Sequence, residues 1–170
     1  MTTTTTSAAR TLRGKVPRVL IVEDDPDTLR YIATVFRDWH WVVDESLSAE
    51  DAIRRVAGHC PDLIVSDLVM PRMDGLELLR ALREQDHDCV IFFVLVTGQG
   101  TVSQAVSAIV EGADDVVLKP FTPDDLRTIL VRHHFPVDVA VDGGTDPQED
   151  SCGDPSGPDR RGGGSAPTRP

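Results

Sequence analysis

A chain of 170 residues holds one well-filled domain and not two. Its net charge of −11 argues against a nucleic-acid backbone or an anionic membrane surface as partner, because both are bound through excess Lys and Arg. Three cysteines, Cys60, Cys89 and Cys152, lie far apart without a C-x-x-C pair, so neither a zinc site nor a disulfide framework is expected, and a reducing, cytoplasmic compartment is.

Met1 to Val16 is a polar lead with a Thr run and no apolar periodicity, expected to be disordered. Arg18-Val-Leu-Ile-Val22 has the composition of a buried strand and stops on Glu23-Asp24-Asp25. Asp25 followed by Pro26 predicts a helix start, and Leu29, Ile32, Ala33 and Phe36 recur at helical spacing up to about Asp38. Trp41 to Asp44 predicts a short strand. Ser48-Ala-Glu-Asp51 opens a second helix with Ala52, Ile53, Val56 and Ala57 inward, and Gly58 ends it.

Leu63 to Ser66 is the third strand, ending on Asp67, and a loop with Pro71 and Gly75 follows. Asp74-Gly75 opens the third helix, with Leu78, Leu79 and Leu82 inward. Val90 to Val96 is the fourth strand, ending on Thr97. The apolar run that contains it, Cys89 to Val96, is too short to cross a bilayer. Thr101 is expected to cap a fourth helix carrying Val102, Ala105, Val106 and Ile109, closed by Gly112. Val116 to Leu118 is the fifth strand, ending on Lys119-Pro120. Thr122-Pro-Asp-Asp125 then combines a capping box with Pro at the first helical position, and Pro136 prevents the helix from continuing. From residue 136 to Pro170, Gly, Pro, Asp and Ser dominate, and disorder is expected.

Five strand–helix units in regular alternation predict an α/β fold, a parallel sheet wound on both faces by helices. Ligands of such sheets bind beyond the carboxyl ends of the strands. Those ends here carry Glu23 and Asp24, Asp67, Thr97 and Lys119. Three converging carboxylates are tolerable around a hard divalent cation such as Mg²⁺. With one lysine and one hydroxyl they suit phosphoryl transfer to a carboxylate nucleophile. Taken singly, Asp25 is a helix cap, and His133 and His134 favour a helix C-terminus rather than a metal.

Four stretches carry a resemblance: Val-Leu-Ile-Val-Glu-Asp-Asp (19–25), Pro-Asp-Leu-Ile-Val-Ser-Asp-Leu-Val-Met-Pro-Arg-Met-Asp-Gly (61–75), Val-Leu-Val-Thr-Gly (94–98) and Gly-Ala-Asp-Asp-Val-Val-Leu-Lys-Pro-Phe (112–121). In order and spacing, residues 17–135 resemble the response-regulator receiver domain of two-component signalling, of the stand-alone type. The resemblance implies a flavodoxin-like, doubly wound five-stranded sheet of order 2-1-3-4-5 flanked by five helices. It implies Asp67 as phosphoacceptor. Mg²⁺ would be held by Asp24, Asp67 and the backbone carbonyl of Val69, with Glu23 reaching it through water. Lys119 would pair with the incoming phosphoryl group, Thr97 would bond it afterwards, and Lys119-Pro120 would be cis.

The implied partners are a histidine kinase or a histidine phosphotransfer protein, and a downstream protein met by the face of helix 4, strand 5 and helix 5. The chain would catalyse its own modification without being an enzyme. The family's Tyr or Phe three residues before the lysine is replaced by Val116, which leaves a phosphorylation-independent interaction module as the alternative. Val69 and Gln99 stand where the family varies its dephosphorylation rate, and apolar Val69, unable to hold an attacking water, points to a long-lived phosphoryl group. A Mg²⁺-dependent phosphatase would want an acid at Val69. No G-x-G-x-x-G or G-x-x-x-x-G-K-[ST] loop points to a nucleotide.

Overall fold

A computed structural model describes residues 15–85, 89–98 and 102–137. The expectations for residues 1–14 and 138–170, His87, Gln99, Thr101 and Cys152 lie outside the described residues, as do the side chains of Val102 and Ala105. Pro136 and Val137, expected in the disordered tail, instead meet the core, Val137 packing against it. Within them the elements run β1 (Arg18–Val22), α1 (Pro26–Asp38), β2 (Val42–Ser46), α2 (Ala49–Gly58), β3 (Leu63–Asp67), α3 (Gly75–Glu84), β4 (Phe92–Thr97), α4 (Val102–Val110), β5 (Asp115–Leu118) and α5 (Pro123–Arg132). All strand pairs are parallel and the order is β2-β1-β3-β4-β5.

The two-residue period of the buried strands divides the core. Val19 and Ile21 of β1, Leu63 and Val65 of β3, and Phe92, Val94 and Val96 of β4 face α1 and α5. Leu20, Val22, Ile64, Phe93 and Leu95 face α2, α3 and α4. Each fully buried Leu, Ile or Val contributes about 1.5–3 kcal/mol relative to exposure, so the central strands are held from both sides.

Helix starts follow local chemistry. Asp25 and Ser48 accept the backbone N–H of Thr28 and Asp51, while Asp74/Glu77 and Thr122/Asp125 form reciprocal capping boxes. Trp41 belongs to the turn before β2 rather than to the strand. Its indole N–H donates to the Pro136 carbonyl at 3.0 Å, and Phe36 and Phe135 pack around it.

Three further sequence expectations are corrected. Ala57 is exposed, because α2 meets the sheet through Ala49, Ala52 and Val56, with Ile53 partly buried beside them. Val106 and Ile109 of α4 face outward, at 55% and 47% exposure, and among the described side chains of the helix it is the small Ala108 that is buried in the core. Cys60 and Cys89 form a disulfide with a Cα–Cα separation of 6.4 Å. Their pairing follows from strand register: each lies three residues before one partner of the Leu63↔Phe92 pair, so β3 and β4 bring them level. That register cannot be read from cysteine spacing.

Candidate functional site

The carboxyl ends of β1, β3, β4 and β5 meet at one end of the sheet, and the backbone ladder continues past the strands to fix what lies there. The N–H of Glu23 donates to Ser46 O, that of Leu68 to Val96 O at 2.7 Å, and that of Lys119 to Thr97 O at 2.8 Å. The turn after β3 is closed by Gly75 N–H on Leu68 O at 2.9 Å. A Cβ at Gly75 would collide with the Asp67 carbonyl and come within 2.7 Å of Leu95 Cδ2. Only glycine lets α3 begin directly against the end of β3. The sequence marked Gly75 as loop punctuation; its role as the surface against which Asp67 is seated emerges from the fold.

Glu23, Asp24 and Asp67 each offer a carboxylate oxygen within 4.8 Å of the others. Glu23 and Asp67 are buried and Asp24 is exposed. The Lys119 ammonium spans the two buried acids, 2.7 Å from Glu23 Oε2 and 3.0 Å from Asp67 Oδ1. The Lys119–Pro120 peptide is cis.

Burial pushes the Glu23 carboxyl above its ordinary 4.5, and the charge of Asp67 adds to this against the opposing pull of Lys119. Burial would lower the Lys119 pKa, but the bonds to and charges of Glu23 and Asp67 together outweigh it and raise it. One ammonium among three carboxylates leaves net negative charge in a partly dry site. An all-oxygen donor set with that excess fits a hard divalent cation better than a softer metal, and nearby Asp25 is occupied with capping Thr28 instead.

Thr97 is 1% exposed, and its Oγ1 has no hydrogen-bond partner among the described residues. Buried hydroxyls are ordinarily satisfied, so this one is poised for an acceptor the protein itself does not provide. Val69 follows Leu68 in the loop and is 64% exposed. Met70 is buried and Met73 packs against the same core, as loop residues. Thus Glu23, Asp24, Asp67, Thr97 and Lys119 all stand at the carboxyl end of the sheet. Val116 sits half-buried on β5 against the α2–α4 side of the core. His133 meets Asp115 at 2.9 Å, a pairing not foreseen from the sequence because it joins the end of α5 to the start of an edge strand.

Sequence and structure comparisons agree with this geometry. The family described as "Response regulator receiver domain" matches residues 19–131. Hybrid signal transduction histidine kinase D of Dictyostelium discoideum is 34% identical over 116 residues, covering 68% of this chain and 7% of that protein. Response regulator ArlR of Staphylococcus aureus is 30% identical over 115 residues, covering 68% of this chain and 50% of that protein. The chain therefore spans at most about half the length of these relatives. Among solved structures, the signal receiver domain of a signal transduction histidine kinase from Syntrophus aciditrophicus superposes with a TM-score of 0.63 at 30% identity, covering 69% of this chain and 89% of that one.

A five-stranded 2-1-3-4-5 sheet with an acidic cluster at its carboxyl end is the flavodoxin-like architecture of a signalling receiver. The chain belongs to the response regulator receiver domain family of two-component signalling, whose members interact with histidine kinases or phosphotransfer proteins.

Proposed function

We propose that this receiver accepts a phosphoryl group on Asp67 from a phosphohistidine of a histidine kinase or histidine phosphotransfer protein. The observation that carries the reading is the Lys119 ammonium within 3.0 Å of Asp67 Oδ1 in a cluster of three carboxylates. An Asp67 oxygen attacks phosphorus, the N–P bond to the donor imidazole breaks, and an acyl phosphate forms. Lys119 neutralises the phosphoryl oxygens. The unpartnered Thr97 hydroxyl donates to one of them. Glu23, Asp24, Asp67 and the Val69 carbonyl would hold Mg²⁺, which supplies further charge neutralisation between nucleophile and phosphoryl group. An apolar, exposed Val69 offers no hydrogen bond to an attacking water, which favours slow loss of the phosphoryl group.

The functional unit is residues 17–135, acting in the cytoplasm; among the described residues no helix is long and apolar enough to cross a membrane. Output goes to a protein at the α4–β5–α5 face. On its β5–α5 part a groove of about 360 Å³ is lined by Val116, Pro120, Thr128, Arg132 and the exposed Leu118. Val116, where the family carries an aromatic ring, favours one second reading, an interaction module that works without phosphorylation.

Incubation with acetyl phosphate and Mg²⁺ separates the two. Wild type is expected to gain an acid-stable, base-labile phosphate by mass spectrometry. Asp67→Asn and EDTA-treated wild type are expected to gain none. Failure of wild type to be labelled by either acetyl phosphate or a phosphohistidine donor leaves the interaction module standing.

A further inference from the structure

Cys60 and Cys89 tie the feet of β3 and β4 together, at the end of the sheet opposite Asp67 and Thr97. The bond closes a segment with a sequence separation of 29 that contains the phosphoacceptor, the β3–α3 turn and all of α3. Both cysteines are partly exposed at the margin of the α2–α4 side of the core, and the next residue, Val90, is 70% exposed. The β3–β4 ladder runs unbroken from Leu63↔Phe92 to Asp67↔Val96 between two buried clusters. Opening the bond therefore releases a chain constraint without unpairing a strand.

Resting on the proposed function in one respect, a domain served by phosphohistidine donors works in a reducing compartment, where disulfides are reversible rather than permanent. We infer that Cys60 and Cys89 form a reversible thiol–disulfide site, exchanged by a low-molecular-weight thiol of the glutathione class, that sets the stability of the segment carrying Asp67. In the reductive direction a thiolate attacks one sulfur of the bond, and the other cysteine leaves as a thiolate and takes a proton. A second reductant thiol resolves the mixed disulfide, so two reductant thiols become one disulfide and the protein gains two thiols. Oxidised glutathione drives the reverse.

The test uses the full chain with Cys152→Ser and no phosphodonor, so its outcome is independent of acyl-phosphate chemistry. The protein is equilibrated in graded reduced and oxidised glutathione buffers, quenched with an alkylating agent and weighed. The expected result is interconversion between no and two alkylated cysteines within that range, with the melting temperature lower in the reduced form by roughly 5–15 °C. A Cys60→Ser/Cys89→Ser chain is expected to melt at the reduced value in every buffer. A bond that persists in all reduced buffers, or that never forms in oxidised glutathione, overturns the inference. The thiol count stands even if the double variant folds poorly.

Discussion

Glu23 works against the fold that holds it. It is 2% exposed, and its carboxyl is raised above 4.5 chiefly by burial. A carboxyl raised in the folded state contributes stability that is fully present below the unfolded value and lost as pH rises through the folded value. The charged form at neutral pH is thus a cost, carried for the sake of the acidic cluster. Without divalent cation, the melting temperature of Glu23→Gln relative to wild type should rise between about pH 4 and pH 7. Asp25 and Asp51, lowered by bonds to Thr28 and Arg55, act in the opposite sense but cancel in that difference. A flat difference would mean that Lys119 fully offsets the burial. Thr97 makes a related case. Because its hydroxyl is buried without a partner, Thr97→Val should leave stability unchanged or raise it by up to about 1–2 kcal/mol in urea titration. The same variant should slow acetyl phosphate labelling by roughly tenfold to hundredfold.

Elements show why some of the fold was legible in the sequence and some was not. Helix starts were, because Asp25, Ser48, Asp74 and Thr122 act within three residues of themselves. The convergence of the candidate site residues was as well, since Glu23, Asp24, Asp67, Thr97 and Lys119 each lie at or within two residues of the end of a strand rich in apolar residues. What escaped was set by register or by partners distant in sequence. The outward Val106 and Ile109 obey helical spacing yet face solvent, while Ala108 is the described side chain of α4 that is buried. The Cys60–Cys89 bond needed the alignment of β3 with β4. Gly75 depended on how closely the start of α3 approaches the end of β3. Gly75→Ala must push the Asp67 carbonyl or Leu95 aside, which should cost about 1–3 kcal/mol. Urea denaturation measures this, and labelling of Asp67 should fall further than the lost stability accounts for, because the displaced backbone is its own.

At the scale of the whole molecule, strand order matters more than any single contact. Placing β1 and β3 side by side brings Glu23 and Asp24 to Asp67, and β4 and β5 then deliver Thr97 and Lys119. Lys119 reaches Glu23 across a sequence separation of 96. A chain divided between α3 and β4 would leave the acids in one piece and the hydroxyl and ammonium in the other. Under the proposed function neither piece alone would be labelled, so recovery of Asp67 labelling on mixing two such fragments would report their reassembly.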